Sequence, residues 1–362
     1  MKENWQYKNF EECLERVSKT TKIQSTDYKQ SGQFPIISQE ESLISGYWDD
    51  FKDVLYLKHP VVIFGDHTRV LKYIDFDFVI GADGVKVLSP KDFLSSKFLF
   101  YYLKWENIPS LGYSRHYKLL KEIKLPIPPL SEQKRIVREL DLLSGIIEKQ
   151  KQQLKELDTL AQSIFYSMFG DPNVDKKFKI EKIGSVSINL DSKRKPVTKS
   201  DRETGIYPYY GASGIVDYVS SYIFDGEFLL VSEDGANLLT RTQPIAFISK
   251  GKVWINNHAH VLDFENMGSK IYLMYYLNLL DFKDEITGAA QPKLTQKALN
   301  NMKIAWPPID LQNQFAEKIE KIEKQKEVIN KSIEETQKLF DYTMDKYFGE
   351  HEKFRLHKRF GY

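Results

Sequence analysis

Leu125-Pro126-Ile127-Pro128-Pro129-Leu130-Ser131-Glu132-Gln133-Lys134-Arg135-Ile136-Val137 sets the architecture of this 362-residue chain. Two adjacent prolines break any element that precedes them, and Ser131 is placed to N-cap a helix beginning just after it. From Ile136 onward, Leu140, Leu143, Ile147, Gln150, Leu154, Leu157, Ala161, Ile164 and Met168 recur at alternating spacings of four and three. Gln150 alone is polar. This is the a/d seam of a coiled coil. Gly170 stands where a helix C-terminal cap is expected. The pattern predicts a helix of roughly 35 to 40 residues, hence about 55 Å at 1.5 Å per residue.

The chain then repeats itself. Pro128-Pro129 and Gln133 fall on Pro307-Pro308 and Gln312, and Phe169-Gly170 on Phe348-Gly349, each at an offset of 179. Upstream, Trp5, Phe10, Cys13, Gly32 and Pro35 fall on Phe178, Ile183, Val186, Gly205 and Pro208 at 173. The extra residues of the second copy lie between about 281 and 300, around Thr287–Lys293. The second seam reads Phe315, Ile319, Ile322, Lys326, Ile329, Ile333, Thr336, Phe340, Thr343, Tyr347. The helices are length-locked while the segments before them are not, which suggests a stiff spacer joined to variable domains. Two long helices lying separately on two domains is the alternative. Each is too long for one globular half to bury, so pairing is expected, antiparallel if a pseudo-two-fold axis relates the copies.

Residues 1–124 and 172–302 mix short strands, such as Val61–Phe64 and Phe228–Val231, with Gly, Asp and Asn turns and one late helix (Phe98–Leu103, Tyr272–Leu277). Two similar α+β domains are expected. The spacer segments are 125–171, with the Pro-Pro pair at its head, and 303–350, followed by a basic tail, 351–362. With 41% hydrophobic and 28% charged residues the chain can build cores. The single cysteine, Cys13, excludes an internal disulfide framework and a Cys-based zinc cluster. No apolar run is long enough to span a bilayer, and Met1–Trp5 begins no signal sequence. A soluble, cytoplasmic protein with no membrane partner is expected. A formal net charge of +2 identifies no nucleic-acid partner, so any cationic surface must be local.

The phrase 125–137, followed by a heptad helix ending in Met168-Phe169-Gly170-Asp171, resembles the central region of type I restriction–modification specificity subunits. The second copy, 303–350, resembles it more weakly. Phe64-Gly65-Asp66-His67-Thr68-Arg69 with Gly81–Val85, and Gly288–Lys293, resemble phrases of target recognition domains. The order domain–helix–domain–helix, covering nearly the whole chain, is the specific feature. The resemblance implies a subunit that binds double-stranded DNA without chemistry of its own. Each domain would read half of a split, asymmetric site, and an antiparallel helix pair would set the gap. The helices would dock two DNA adenine-methyltransferase subunits, and motor–nuclease subunits would complete the complex. S-adenosylmethionine, ATP and Mg are then expected only on those partners. A partner that fuses methylation and cleavage is an equally compatible variant.

Base reading needs paired donors and acceptors: Arg for guanine, Asn or Gln for adenine. In the first domain the candidates are Asp66, His67, Thr68, Arg69, Asp83, Arg115 and His116. In the second they are Arg241, Asn256, Asn257, His258, Gln291 and Lys293, with Tyr210 on an aromatic turn. Lys193, Arg194 and Lys195 form a basic loop that reads either as phosphate contacts or as a solvated charge run. The tail Lys353–Arg359 reads as a further DNA contact, as packing near the N-terminus that completes the pseudo-symmetry, or as a frayed end. His67 and His116 lack a second His or Cys at ligand spacing, so no metal site is expected.

No Phe-x-Gly-x-Gly, no Asn-Pro-Pro-(Tyr/Phe) and no Gly-x-x-x-x-Gly-Lys-(Ser/Thr) occurs. A lone methyltransferase, which would bind S-adenosylmethionine itself, is therefore not expected. A coiled-coil scaffold binding protein rather than DNA is the rival from a different class, separated by the salt dependence of duplex binding.

Overall fold

The computed structural model describes residues 5–18, 20–112, 114–175, 177–288 and 290–349. The 351–362 tail and Ala289 of the Gly288–Lys293 turn lie outside the described residues. The chain divides into two compact units, 1–151 with 331–362, and 152–330. Each holds one α+β domain and half of each long helix. In space each domain, 1–124 and 172–302, shares a core with half of each long helix.

The long helices are Leu130–Phe169 and Ile309–Phe348, 40 residues each. The first begins at Leu130, one residue before the expected cap. The Pro129 carbonyl accepts the first helical N–H groups, at 2.9 Å from Glu132 and 3.0 Å from Gln133. Ser131 lies inside the first turn. At the other end Gly170 takes φ +84° and its N–H donates to the Tyr166 carbonyl at 2.9 Å, as a left-handed cap requires.

In the first unit the low-numbered end of the first helix meets the high-numbered end of the second. Arg135 Nη1 donates to the Tyr347 hydroxyl at 3.0 Å, and Gln150 Nε2 to Ser332 Oγ at 2.6 Å. Ile136, Leu140 and Ile147 share a core with Phe340, Met344, Tyr347 and Phe348. In the second unit Lys326 Nζ meets Asp158 at 2.8 Å, and Ala161 and Phe165 share a core with Phe315, Ile319 and Ile322. The pairing is antiparallel in each unit. Leu143, Leu154, Leu157, Ile164, Ile329 and Ile333 are half-buried, so the seam is driest where a domain closes over it. There the two helices become three. The domain helix Ser96–Glu106 adds Phe98, Leu99, Tyr101 and Tyr102 to the first core. Met267–Leu279 adds Tyr272, Leu273 and Tyr276 to the second. Phe165, Phe169 and Phe348 meet rings of this third helix, Met344 shares the first core, and all four lie off the heptad pattern.

Each domain is closed by a two-stranded clip. Gln6–Asn9 pairs antiparallel with Lys124–Ile127, and Lys179–Lys182 with Lys303–Trp306. The Pro-Pro segments thus begin as strands of the domains they follow. Between the clips the sheets differ. The first domain has a four-stranded sheet, Leu14–Glu15, Val85–Pro90, Val61–Gly65, Leu71–Ile74, and a five-stranded one built around Phe78–Gly81 and Phe34–Ile37. The second has one six-stranded sheet in the order Ile188–Asn189, Ala259–Asp263, Phe224–Ser232, Ala246–Ile255, Thr204–Gly211, Gly214–Val219. No helix among the described residues is long and apolar enough to cross a membrane.

Candidate nucleic-acid interface

In the second domain four loops converge at one end of the central strands. Ser232 is opposite Ala259, and beyond them the Glu233 N–H donates to the His258 carbonyl at 2.9 Å. The 287–293 turn is clamped beneath by the Leu294 N–H to the Glu233 carbonyl (2.8 Å) and the Gly235 N–H to the Pro292 carbonyl (3.0 Å). Gly288, at φ +83°, sits where a Cβ would lie 2.4 Å from the Gln291 carbonyl oxygen, so this turn needs glycine. The fourth loop, Asp191–Lys195, is tied in by the Trp254 indole N–H, which donates to the Lys195 carbonyl at 2.7 Å.

A buried ionic cluster holds these loops together. His260, fully buried, has Nδ1 2.6 Å from Asp191 Oδ2 and Nε2 2.8 Å from the Leu294 carbonyl. Both partners are oxygen acceptors. Arg194 lies between the acids, with Nη1 2.6 Å from Glu233 and Nη2 3.3 Å from Asp191. Lys293 Nζ reaches the other Glu233 oxygen at 3.1 Å. Burial alone would raise both carboxyls. For Asp191 the bond and charge of His260, the Val261 N–H and Arg194 outweigh it and hold the group below its ordinary value. For Glu233 the bond from Arg194, the charge of His260 and the bond from Lys293 do the same. Asp191, Glu233 and His260 are close enough to hold a metal ion. Their donor atoms are instead shared with two cationic side chains and an imidazole N–H, the chemistry of an ion-pair core.

This geometry sorts the sequence candidates. Arg194, with a side chain 11% exposed, is committed inside the cluster and does not belong to a free basic loop. Arg241 is also internal. Its guanidinium donates to the Leu277 and Leu280 carbonyls at the end of the domain helix, lies 4.4 Å over Phe282, and is lowered in pKa by burial. Asn256 is buried and shapes its turn by accepting the His258 N–H at 2.8 Å. Tyr210 is half-buried, stacked on Phe247 at 6.0 Å. Lys193, Lys195, Asn257 and Gln291 are exposed, and His258 and Lys293 are half-exposed, His258 paired with Asp234 at 2.8 Å. These six stand on the converging loops.

In the first domain the Gly65–Val70 turn is closed by the Arg69 N–H to the Gly65 carbonyl at 2.8 Å, with Arg69 at φ +63°. Asp66 is buried, accepting the Tyr117 N–H at 2.8 Å, with Lys86 Nζ at 3.6 Å. His116 is fully buried. The Leu111 N–H donates to its Nε2, and its Nδ1–H donates to the Asp66 carbonyl, each at 2.9 Å. Asp66 and His116 therefore brace the loops from within. Arg69 Nη1 donates to the Ile108 carbonyl at 2.9 Å. The Gln39 side chain accepts the His67 N–H at 3.1 Å, and its carbonyl accepts the Thr68 hydroxyl at 2.6 Å. Thr68, Asp83 and Arg115 are exposed and His67 half-buried.

Sequence reasoning missed Gln39, Glu233 and His260. Gln39 stood in no motif, and Glu233 opened an ordinary Glu-Asp-Gly turn. His260 lies on a strand whose alternation gave no hint of its acids.

Each unit joins one α+β domain to an antiparallel pair of helix halves, and this arrangement occurs twice in the chain. The chain belongs to the type I restriction modification DNA specificity domain family, whose model matches residues 2–158 and 175–338. A stretch of 126 residues is 37% identical to a putative type I restriction enzyme specificity subunit of Haemophilus influenzae, covering 35% of this chain and 32% of the relative. A type I restriction enzyme specificity subunit of Methanocaldococcus jannaschii is 27% identical over 192 residues, 50% of this chain and 45% of the relative. The matched stretches thus span less than half the length of these curated relatives. The S subunit of a type I restriction–modification system from M. genitalium has the same fold, with a TM-score of 0.61 at 17% identity over 95% of this chain and 96% of that one.

Proposed function

We propose that this chain is the non-catalytic, sequence-reading subunit of a type I restriction–modification complex. Each domain reads one half of a split, asymmetric site on double-stranded DNA. The paired helices set the unread gap and dock two adenine-methyltransferase subunits, and motor–nuclease subunits join through the assembly. S-adenosylmethionine, ATP and Mg serve on those partners.

The observation that carries this reading is the second domain's loop end. Lys193, Lys195, Asn257, His258, Gln291 and Lys293 stand there on loops braced by a buried ionic core. Lysines supply salt-sensitive phosphate contacts, and amides pair with adenine edges. Thr68, Asp83 and Arg115, with His67 beside them, fill that role in the first domain. The docking of partners is supported by exposed apolar side chains on the helices: Leu142 (69%), Val328 (70%) and Tyr342 (67%). In the second unit a groove of about 620 Å³ lies between Leu157, Leu160, Val328 and Ile329.

The test is to sequence methylated adenines in a host carrying this chain and its methyltransferase partner. A two-part motif with a fixed gap is expected. Methylation without sequence preference, or duplex binding indifferent to salt, would refute the reading.

A further inference from the structure

Gln133 and Gln312 occupy the same place in the two copies, and both are fully buried. Gln133 Oε1 accepts the Ser95 N–H at 2.8 Å, and its Nε2 donates to the Phe93 carbonyl at 2.9 Å and the Pro128 carbonyl at 2.8 Å. Ser95 is the N-cap of the first domain's helix, and Pro128 lies just ahead of the long helix. One side chain thus ties the start of the domain helix to the start of the spacer. Gln312 rebuilds the joint with a different donor. Its Nε2 donates to the Pro307 carbonyl at 2.8 Å, and its Oε1 accepts the Ser269 hydroxyl at 2.7 Å in the first turn of the second domain's helix. The backbones meet closely here, since a Cβ on Gly268 would lie 3.1 Å from the Asn313 nitrogen.

Apolar packing holds each domain to its helices, but it is non-directional and tolerates rotation. Hydrogen bonds have preferred angles, and a buried amide that loses its partners is costly. A joint closed by a buried glutamine therefore has one favoured geometry.

We infer that Gln133 and Gln312 are positioning residues that fix the angle at which each domain leaves its helix. They thereby restrict the gap length that the assembled complex accepts. The inference rests on the proposed reading of a split site.

The experiment uses the full chain assembled with its methyltransferase partner. Adenine methylation is measured on duplexes carrying the native gap and gaps one base pair shorter or longer. Gln133→Met and Ser269→Ala are compared with the parent. Both variants should methylate the native site with the same half-site sequences. Discrimination against the altered gaps should fall about tenfold for Ser269→Ala, which loses one buried hydrogen bond, and by more for Gln133→Met, which loses three. Unchanged gap discrimination in the variants overturns the inference. So does a loss of half-site selectivity with gap selectivity kept, which would mean that the reading loops had loosened. If Gln133→Met fails to fold, Ser269→Ala, which removes only a hydroxyl, carries the test. If the parent shows no split-site methylation, the DNA-reading assignment itself fails and takes this inference with it.

Discussion

Replacing Arg194 by Met tests whether this cation braces the converging loops from within, as its partners indicate, or serves the proposed DNA contact. Arg194 donates to Glu233 (2.6 Å), the Ala259 carbonyl (2.7 Å) and the Asp191 carbonyl (3.1 Å), with the Asp191 carboxylate at 3.3 Å. Methionine keeps the packing of the stem and removes every one of these. Breaking a buried ion pair from one side costs about 3–5 kcal/mol. Lys293, 3.1 Å from Glu233, and His260, 2.6 Å from Asp191, remain as counter-charges, which places the expectation near the low end. At a urea dependence of about 2–3 kcal/mol per molar, a loss of about 3 kcal/mol lowers the midpoint by about 1–1.5 M. Trp254, whose indole bonds the same loop, reports the transition by fluorescence. Lys195→Ala is the control. It should leave stability within about 0.5 kcal/mol and reduce the slope of log affinity against log salt by about one. An Arg194→Met protein that unfolds like the parent, yet loses salt slope as Lys195→Ala does, would refute the internal role of Arg194.

Three further outcomes are expected. Asp191 and Glu233 are held below their ordinary values, so the stability they contribute is present above the unfolded carboxyl value of about 4 and is lost as pH falls through the lower folded values. The second unit's melting temperature should therefore drop steeply below about pH 4, and a profile flat to strong acid would contradict the ionic core. Phe165→Ala removes a fully buried ring within 5.8 Å of Phe169, Tyr272 and Phe315 and should cost about 3–5 kcal/mol in chemical denaturation, where a loss under about 1 kcal/mol would argue against the three-helix core. Inserting seven residues at paired positions in both long helices adds about 10 Å and should widen the methylated motif's gap by up to about three base pairs, whereas altered half-sites would defeat the ruler.

The connector was the most legible part. Ile136, Leu140, Phe315 and Ile319 announced themselves by spacing, because a two-helix seam repeats every seven residues and nothing else in a chain does so for long. Phe165, Phe169 and Phe348 escaped because they answer to a third helix contributed from outside the heptad. The converging loops were harder. Arg194, Arg241 and His116 have the chemistry of base or phosphate contacts, and a sequence does not reveal that their partners are buried carboxylates and carbonyls. Asp191 and His260, for instance, lie 69 residues apart. What remained exposed, such as Lys195 and Gln291, sits on turns whose polar composition was visible from the start.

The clips at Asn9–Lys124 and Lys182–Lys303 bring the chain into and out of each domain on neighbouring strands. The loops between them, though not the helix that packs on the long pair, form a cassette. A piece of gene encoding different loops can be exchanged there while the ends still meet on the same pair of strands and the helix beyond begins at the same proline. The two ends of each domain are thereby held in register whatever the length or composition of the loops between them.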